Sequence, residues 1–174
     1  MNNFLSPDNW SWTPILEQQH QSLLSEFEQF DPTQWIANRE QKIDQSGLWS
    51  FVPFMVRGQR IESYLQRCPT VAMLLNTVPM FDNCTFSIMG PDSKIDPHQG
   101  HSDQHLRVHL CLKTQGTAWI QVGDEKQHWQ TGKVLIFQDR ETHSTANPGT
   151  EDRVVLLFDV LKKDYYDHLI KSTL

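Results

Sequence analysis

Between Cys84 and Val160 the apolar residues recur with the period of strands. The clearest stretch is Leu106 to Lys113, where Leu106, Val108, Leu110 and Leu112 alternate with Arg107, His109, Cys111 and Lys113. Successive side chains of a strand point to opposite faces, so one face here is apolar and the other carries Arg107 and His109. Further strands are expected at Cys84 to Met89, Thr117 to Val122, Gln127 to Gln130, Val134 to Phe137 and Val154 to Val160. Turn residues separate them, among them Gly90-Pro91-Asp92, Thr114-Gln115-Gly116, Gly123-Asp124, Thr131-Gly132 and Asn147-Pro148-Gly149. Many short strands punctuated in this way predict a β-sandwich or barrel.

The first part of the chain reads differently. Pro14 through Phe30 has a helical stripe (Ile15, Leu16, Leu23, Leu24, Phe27, Phe30), with Thr13 as its cap and Asp31-Pro32 as its stop. A shorter helical piece is expected from Pro32 to Glu40. Leu48 to Val52 reads as a strand broken by Pro53 and continued, extended, through Val56; Arg57-Gly58-Gln59-Arg60 is a turn. Pro69 to Asn76 and the tail from Lys162 to Leu174 are expected to be short helices. With no repeat, low-complexity tract or linker, the 174 residues are read as one domain: a helical part over 1–46, a β core over about 47–160 and a tail over 161–174.

A net charge of −6 argues against a general binder of nucleic acid or anionic membranes. The three cysteines, Cys68, Cys84 and Cys111, are odd in number and far apart, which argues against a disulfide framework and for a reducing compartment. The opening residues show no basic and apolar leader, and no run is apolar enough to span a bilayer. The expectation is a cytoplasmic protein without membrane or nucleic-acid partners.

Four of the eight histidines fall at His98, His101, His105 and His109. Pro97 and Gly100 exclude a helix there, and the alternation that follows places Arg107 and His109 together, facing inward if the apolar set packs outward. An inward Arg and His need an anion, either a small dicarboxylate or an internal Asp or Glu. His98 precedes that strand, and His143 follows the strand Val134 to Phe137. A double-stranded β-helix brings two such imidazoles to one mouth. In the facial triad of two histidines and a carboxylate, the acid usually stands two residues after the first histidine, and here that residue is Gly100. Two readings stay open at this point: a metal held by two histidines with water in the vacant place, or no iron site. Asp139 is a candidate to orient an imidazole. Arg153, opening an apolar strand, is placed to clamp a carboxylate. Nucleotide-binding loops, zinc-protease helices and nucleophile elbows are absent from the sequence.

The set Phe86-Ser87-Ile88-Met89, Pro97-His98-x-Gly100, Leu106-Arg107-x-His109-Leu110, Gly132-Lys133-Val134-Leu135-Ile136-Phe137, His143 and Arg153 resembles the aspartyl/asparaginyl β-hydroxylase family, as does Gly47-Leu48-Trp49 through Gly58-Gln59-Arg60. The likeness covers roughly 47–160, and more loosely the N-terminal helix, and the chain resembles compact bacterial members. It implies a mainly β fold, a double-stranded β-helix (jelly roll, cupin-like) with supporting N-terminal helices. It also implies an Fe(II)- and 2-oxoglutarate-dependent dioxygenase that uses O2 and holds iron on two histidines without the carboxylate. By match, His98 and His143 are the iron ligands. Ser87 and Arg153 fall at the distal carboxylate of 2-oxoglutarate; His109, with Arg107, falls at the other carboxylate or the substrate's acid.

The resemblance implies hydroxylation of an unactivated C–H, foremost the β-carbon of Asp or Asn, in a small molecule or peptide carrying a carboxylate or amide. Gln138-Asp139 and the polar Arg140-Glu141-Thr142 depart from the family pattern and bear on substrate identity. The rival expectation is a cupin-like metal or small-ligand binding protein without oxygenase activity. Hydroxylation of a lipid acyl chain, known in relatives, is a second enzyme alternative, which the acidic composition disfavours.

Overall fold

The structure is a computed structural model that describes residues 3–40 and 42–163. In chain order its elements are β1 (Phe4–Leu5), α1 (Thr13–Gln18), α2 (His20–Phe27), β2 (Ile36–Ala37), β3 (Trp49–Val56), β4 (Gln59–Arg60), α3 (Glu62–Leu65), α4 (Pro69–Thr77), β5 (Phe81–Met89) and β6 (Ser93–His98). There follow β7 (His105–Lys113), β8 (Trp119–Val122), β9 (Glu125–His128), β10 (Val134–Phe137), β11 (His143–Asn147) and β12 (Arg153–Leu161). Short 3-10 turns sit at Pro7–Asn9 and Pro32–Gln34.

The strands form two antiparallel sheets. The large one runs β1-β10-β7-β12-β5-β3-β2 with β4 added to β3; the small one runs β6-β11-β8-β9. From β5 onward the chain alternates between the sheets in the pattern of a double-stranded β-helix. Cross-strand register sets the interior. Val155 pairs with Ser87 on one side and Cys111 on the other, Leu157 with Thr85 and His109, and Asp159 with Arg107.

Strand alternation divides the apolar residues into two cores. Leu106, Val108, Leu110 and Leu112 of β7 and Val154, Leu156, Phe158 and Val160 of β12 face outward, under Trp12, Leu16, Leu23 and Phe27 of the helical layer. Between the sheets lies a smaller cluster that includes Phe4, Cys111, Ile120, Trp129, Phe137 and Val155. Its limited extent leaves the rest of the interior to polar groups. At about 25 cal/mol per Å² of apolar area buried, the outward core under the helices dominates stability and the inter-sheet space is left for chemistry.

Several local expectations change. The helix over 14–30 is two helices, broken at Gln19 (φ −88°, ψ 0°). Thr13 is the first helical residue rather than a cap, and its buried hydroxyl has no hydrogen-bond partner among the described residues. The helix expected over 32–40 is a single turn, with Asp31 accepting from the Thr33 amide at 2.9 Å, after which Ile36 and Ala37 pair with Phe51 and Ser50. Pro53 does not break β3: the register shift between Pro53 and Met55 absorbs its missing N–H. Strands β6 and β11 and helix α3 were not foreseen. The helix expected over 162–174 falls, from residue 164 on, outside the described residues. No helix among those described is long and apolar enough to cross a membrane.

Candidate active site

His98 ends β6 and His143 opens β11, and the two residues are direct cross-strand partners in the small sheet. Their rings lie 4.2 Å apart, centroid to centroid. Each ring is fixed from behind: His98 Nδ1 is 2.8 Å from the Asp96 carbonyl and His143 Nδ1 is 2.8 Å from the Glu141 carbonyl. A carbonyl only accepts, so both Nδ1 atoms carry a proton, and in the neutral form of each ring the lone pair is on Nε2. The orienting partners are thus backbone carbonyls, two residues before each histidine, and not Asp139. Burial pushes the His143 pKa down to about 4, with the Glu141 carbonyl pulling the other way and His98 repelling. The ring is therefore neutral at pH 7, the form a metal ion needs.

Beside this pair a small chamber is bounded by Ser87, His109, Trp129, Phe137, Arg153 and Leu157. Arg153 is 2% exposed, and its Nε and Nη1 have no hydrogen-bond partner among the described residues. Its guanidinium lies 4.6 Å over the Trp129 ring, which offers an electron-rich face in place of an anion. Burial lowers the Arg153 pKa to about 10, still well above neutral. Both nitrogens of His109 are also buried, without a hydrogen-bond partner among the described residues. Burial, then Arg153 and Arg107, hold its pKa well below 6.5, so one nitrogen donates and the other does not. Ser87 Oγ accepts from the Trp49 indole at 3.0 Å, leaving its own proton to donate elsewhere. A buried cation and a buried N–H without acceptors are costly alone. They fit a small dianion, and the two adjacent imidazoles fit a divalent metal beside it.

Arg107 has a different setting. Its Nε is 2.6 Å from Asp159 Oδ1 and its Nη2 is 3.2 Å from Asp139 Oδ2. Asp159 is fully buried and also accepts from Asn83 at 3.2 Å. Burial opposes charge on both partners. For Arg107 the two carboxylates outweigh it and raise the pKa; for Asp159 burial wins over Arg107 and raises the pKa. Gly100 explains how Asp139 fits. A Cβ at residue 100 would run into the Asp139 carboxylate, while the Gly100 amide donates to the Asp139 carbonyl at 2.8 Å. The Asp139 carboxylate thus occupies the space that a side chain at residue 100 would fill, with Oδ1 3.8 Å from His143 Nε2.

Ser87, His98, Arg107, His109, His143 and Arg153 all line the chamber. His101 and His105 do not; they line a wider cleft of about 570 Å³ that shares Trp49, His98, Arg107 and Leu157 with it. Along the cleft, Asp82, His105 and Asp159 hold potential ligand atoms within 4.8 Å of one another, apart from the His98–His143 pair. Sequence reasoning missed Asp159, Asp82, Trp49 and Trp129. Asp159 was within reach, since it follows Arg153, Val155 and Leu157 on the inward face of β12. The cysteines are all buried, and burial raises their pKa values, to about 12 for Cys68 and Cys111; they are packing residues.

A family model described as Aspartyl/Asparaginyl beta-hydroxylase matches residues 11–163. The rat protein named aspartate beta-hydroxylase domain-containing protein 2 is 29% identical over 163 residues, covering 84% of this chain and 46% of the rat protein. The ornithine lipid ester-linked acyl 2-hydroxylase of Rhizobium tropici is 27% identical over 161 residues, covering 87% of this chain and 57% of that protein. The chain therefore spans about half the length of these relatives. A prolyl-4-hydroxylase of Pseudomonas putida aligns over 92% of this chain and 90% of its own, with a TM-score of 0.52 and 16% identity, a likeness of fold. With the family model matched along nearly the whole of the described chain, on a double-stranded β-helix, the protein belongs to the aspartyl/asparaginyl beta-hydroxylase family.

Proposed function

We propose that the protein is an Fe(II)- and 2-oxoglutarate-dependent dioxygenase that hydroxylates an unactivated C–H. The observation that carries this is the pairing of two Nδ1-anchored imidazoles, His98 and His143, with a chamber where Arg153 and His109 bury donors that lack acceptors. His98 and His143 would hold the metal through Nε2. Arg153 and Ser87 would grip the distal carboxylate of the keto acid, and His109 would donate to its other end. Iron held there would activate dioxygen, the oxidant, with one oxygen atom passing to the substrate C–H and the other to the succinate formed from the keto acid with loss of carbon dioxide. The protein's own contribution is position and dryness: Trp129, Phe137 and Leu157 wall the chamber from solvent.

The family's names point first to the β-carbon of an Asp or Asn, free or in a peptide, as substrate. Such a residue brings a carboxylate or amide to the cleft, where the guanidinium present, Arg107, already serves Asp159 and Asp139. A specific feature favours a second substrate class. The cleft wall is apolar, with Ile36, Ile43, Phe51, Met55 and Val56 along it, and suits a C–H on a hydrocarbon chain such as an acyl group.

The test is succinate release from 2-oxoglutarate by the purified chain with Fe(II) and oxygen, beside His98→Ala and His143→Ala. Turnover is expected in the wild type and at least a hundredfold less in each variant, as for loss of a metal ligand. Undiminished turnover in both variants refutes the ligand assignment. Metal binding without oxygen-dependent loss of 2-oxoglutarate would establish the cupin-like binding protein instead.

A further inference from the structure

We infer that Asp44 is a positioning residue of the reaction site: its buried carboxylate shapes residues 43–49 into a strap that steadies His98 through Asp96 and Ser87 through Trp49. This role rests on the hydroxylase reading above and adds to it a residue that lines neither the chamber nor the cleft.

From Lys42 to Leu48, Asp44 alone is buried, at 3% exposure, while Gln45, Ser46, Gly47 and Leu48 lie in solvent. A buried acid in an exposed run is the informative exception, because apolar burial does not hold such a run in shape. Here hydrogen bonds do. Asp44 Oδ1 accepts from the Ser46 hydroxyl at 2.8 Å and from the Gly47 amide at 3.0 Å, and Oδ2 accepts from the Trp49 amide at 3.2 Å. Gly47, at φ 68°, makes the reversal that lets the chain close around the carboxylate.

Both ends of the strap reach the site. At the first, the Ile43 carbonyl accepts from the Asp96 amide at 2.8 Å, and Gln45 Nε2 donates to Asp96 Oδ2 at 2.8 Å. Strand β6 is the outer strand of the small sheet, so its free edge at Asp96 has the strap where an inner strand would have a neighbour. The Asp96 carbonyl in turn holds His98 Nδ1. At the other end Trp49, whose amide Asp44 holds, donates its indole N–H to Ser87 Oγ. That bond fills one lone pair of Ser87 and leaves the hydroxyl proton for the chamber. Releasing the Asp44 carboxylate therefore loosens an imidazole and a hydroxyl together, although both are more than forty residues away in the chain.

The test compares Asp44→Ala with Asp31→Ala in the full chain. Asp31 is a cap of the same kind, accepting from the Thr33 amide and hydroxyl in the turn at Pro32–Gln34. Each variant is expected to lower Tm by about 2–4 °C, as loss of a cap does in a chain of this size. The first readout needs no ligand: nitrogen NMR of the histidine rings at about pH 8.5, above the ordinary imidazole range, with His98 identified by its loss in His98→Ala. His98 is expected in the Nδ1–H form alone in the wild type and Asp31→Ala, and as a mixture of tautomers in Asp44→Ala. The second readout is calorimetry. Asp44→Ala is expected to bind Mn(II) about tenfold more weakly, the lower range for disturbing a partner of a metal-bound histidine. With Mn(II) present it is expected to bind 2-oxoglutarate about tenfold more weakly, the lower range for a hydrogen bond to a charged group. Asp44→Asn separates the two arms. Its amide oxygen keeps Ser46 and Gly47 while its NH2 group opposes the Trp49 amide, so 2-oxoglutarate binding should weaken about as in Trp49→Phe with the His98 tautomer unaltered. An unmoved His98 tautomer in Asp44→Ala, unchanged affinities, or losses equalled in Asp31→Ala overturn the inference. A wild type that binds neither Mn(II) nor 2-oxoglutarate overturns the hydroxylase reading and the positioning role together. Binding in the wild type, with the Asp44 and Asp31 variants alike, sinks the positioning role alone.

Discussion

A buried guanidinium with unfilled hydrogen bonds opposes folding, and Arg153 is kept in that state at the end of the most buried strand of the molecule. Arg153→Met replaces it with a chain of similar length and no charge. We expect the variant without ligands to unfold at the same temperature as the wild type or higher, because an uncompensated charge has been removed from the interior. The same variant should bind 2-oxoglutarate at least about tenfold more weakly, since hydrogen bonds to charged groups contribute about 1.5–3 kcal/mol. Thermal unfolding and a 2-oxoglutarate titration check both halves; a destabilised variant with unchanged affinity would make Arg153 a purely structural residue.

His109 carries a pH dependence of the ligand-free protein. Its folded pKa is depressed well below 6.5, so below that value the unfolded chain binds more protons than the folded one. Stability from this group is therefore full above pH 6.5 and is lost as pH falls below it. A melting temperature that drops between pH 7 and pH 5, with a shallower drop in His109→Gln, is the expected record.

At the scale of elements, Gly100 and Asp139 belong to two loops that interlock beside the histidine pair. Gly100→Ala should displace the Asp139 carboxylate from Arg107 and cost about 1–3 kcal/mol, as overpacking does, with turnover down at least about tenfold. Combining it with Asp139→Gly should give less than the sum of the two single effects, because both act through one contact. Additive losses in that cycle would separate the two residues.

The interlock also shows what could be read from the sequence. Strands β5, β7, β8, β10 and β12 were legible because each packs one apolar face on a core. Strands β6 and β11 were not, because Ser93-Lys94-Ile95-Asp96-Pro97-His98 and His143-Ser144-Thr145-Ala146-Asn147 border a polar interior and so lack the apolar alternation that announces a strand. These two strands carry the paired histidines, so residue type and spacing left the two imidazoles open as ligands or loop residues, the resemblance to the family singled them out, and their supporting elements stayed hidden. Arg107 illustrates the converse: its inward direction was legible from alternation, but its partner Asp159 comes from β-sheet register and Asp139 from the loop after β10, which no local pattern encodes.

For the whole molecule, the proposed ligands should act as a clamp on folding, since binding to the native state alone stabilises it in proportion to the logarithm of ligand concentration. With Mn(II) and 2-oxoglutarate each near a hundred times its dissociation constant, the gain is about 2.7 kcal/mol or more. For a chain of this size that corresponds to a rise of roughly 5–10 °C in Tm. His98→Ala should show no such rise while melting close to the wild type without ligands; an equal rise would place the metal elsewhere.

The apolar side of the cleft comes from β2, β3 and the segment between them, at one margin of the large sheet, whereas the histidine pair lies on β6 and β11 of the small sheet. Trp49 of β3 lines the chamber as well and donates to Ser87 there. The molecule is in this sense divisible into a reaction frame and an interchangeable margin. Replacing Ile36 or Val56, both exposed on the cleft, should retune which molecules are accepted while leaving the reaction frame unaltered, whereas Phe51 packs 4.8 Å from Trp49 and pairs with Ser87, so a library confined to Ile36 and Val56 is the natural starting point for giving this scaffold a new substrate.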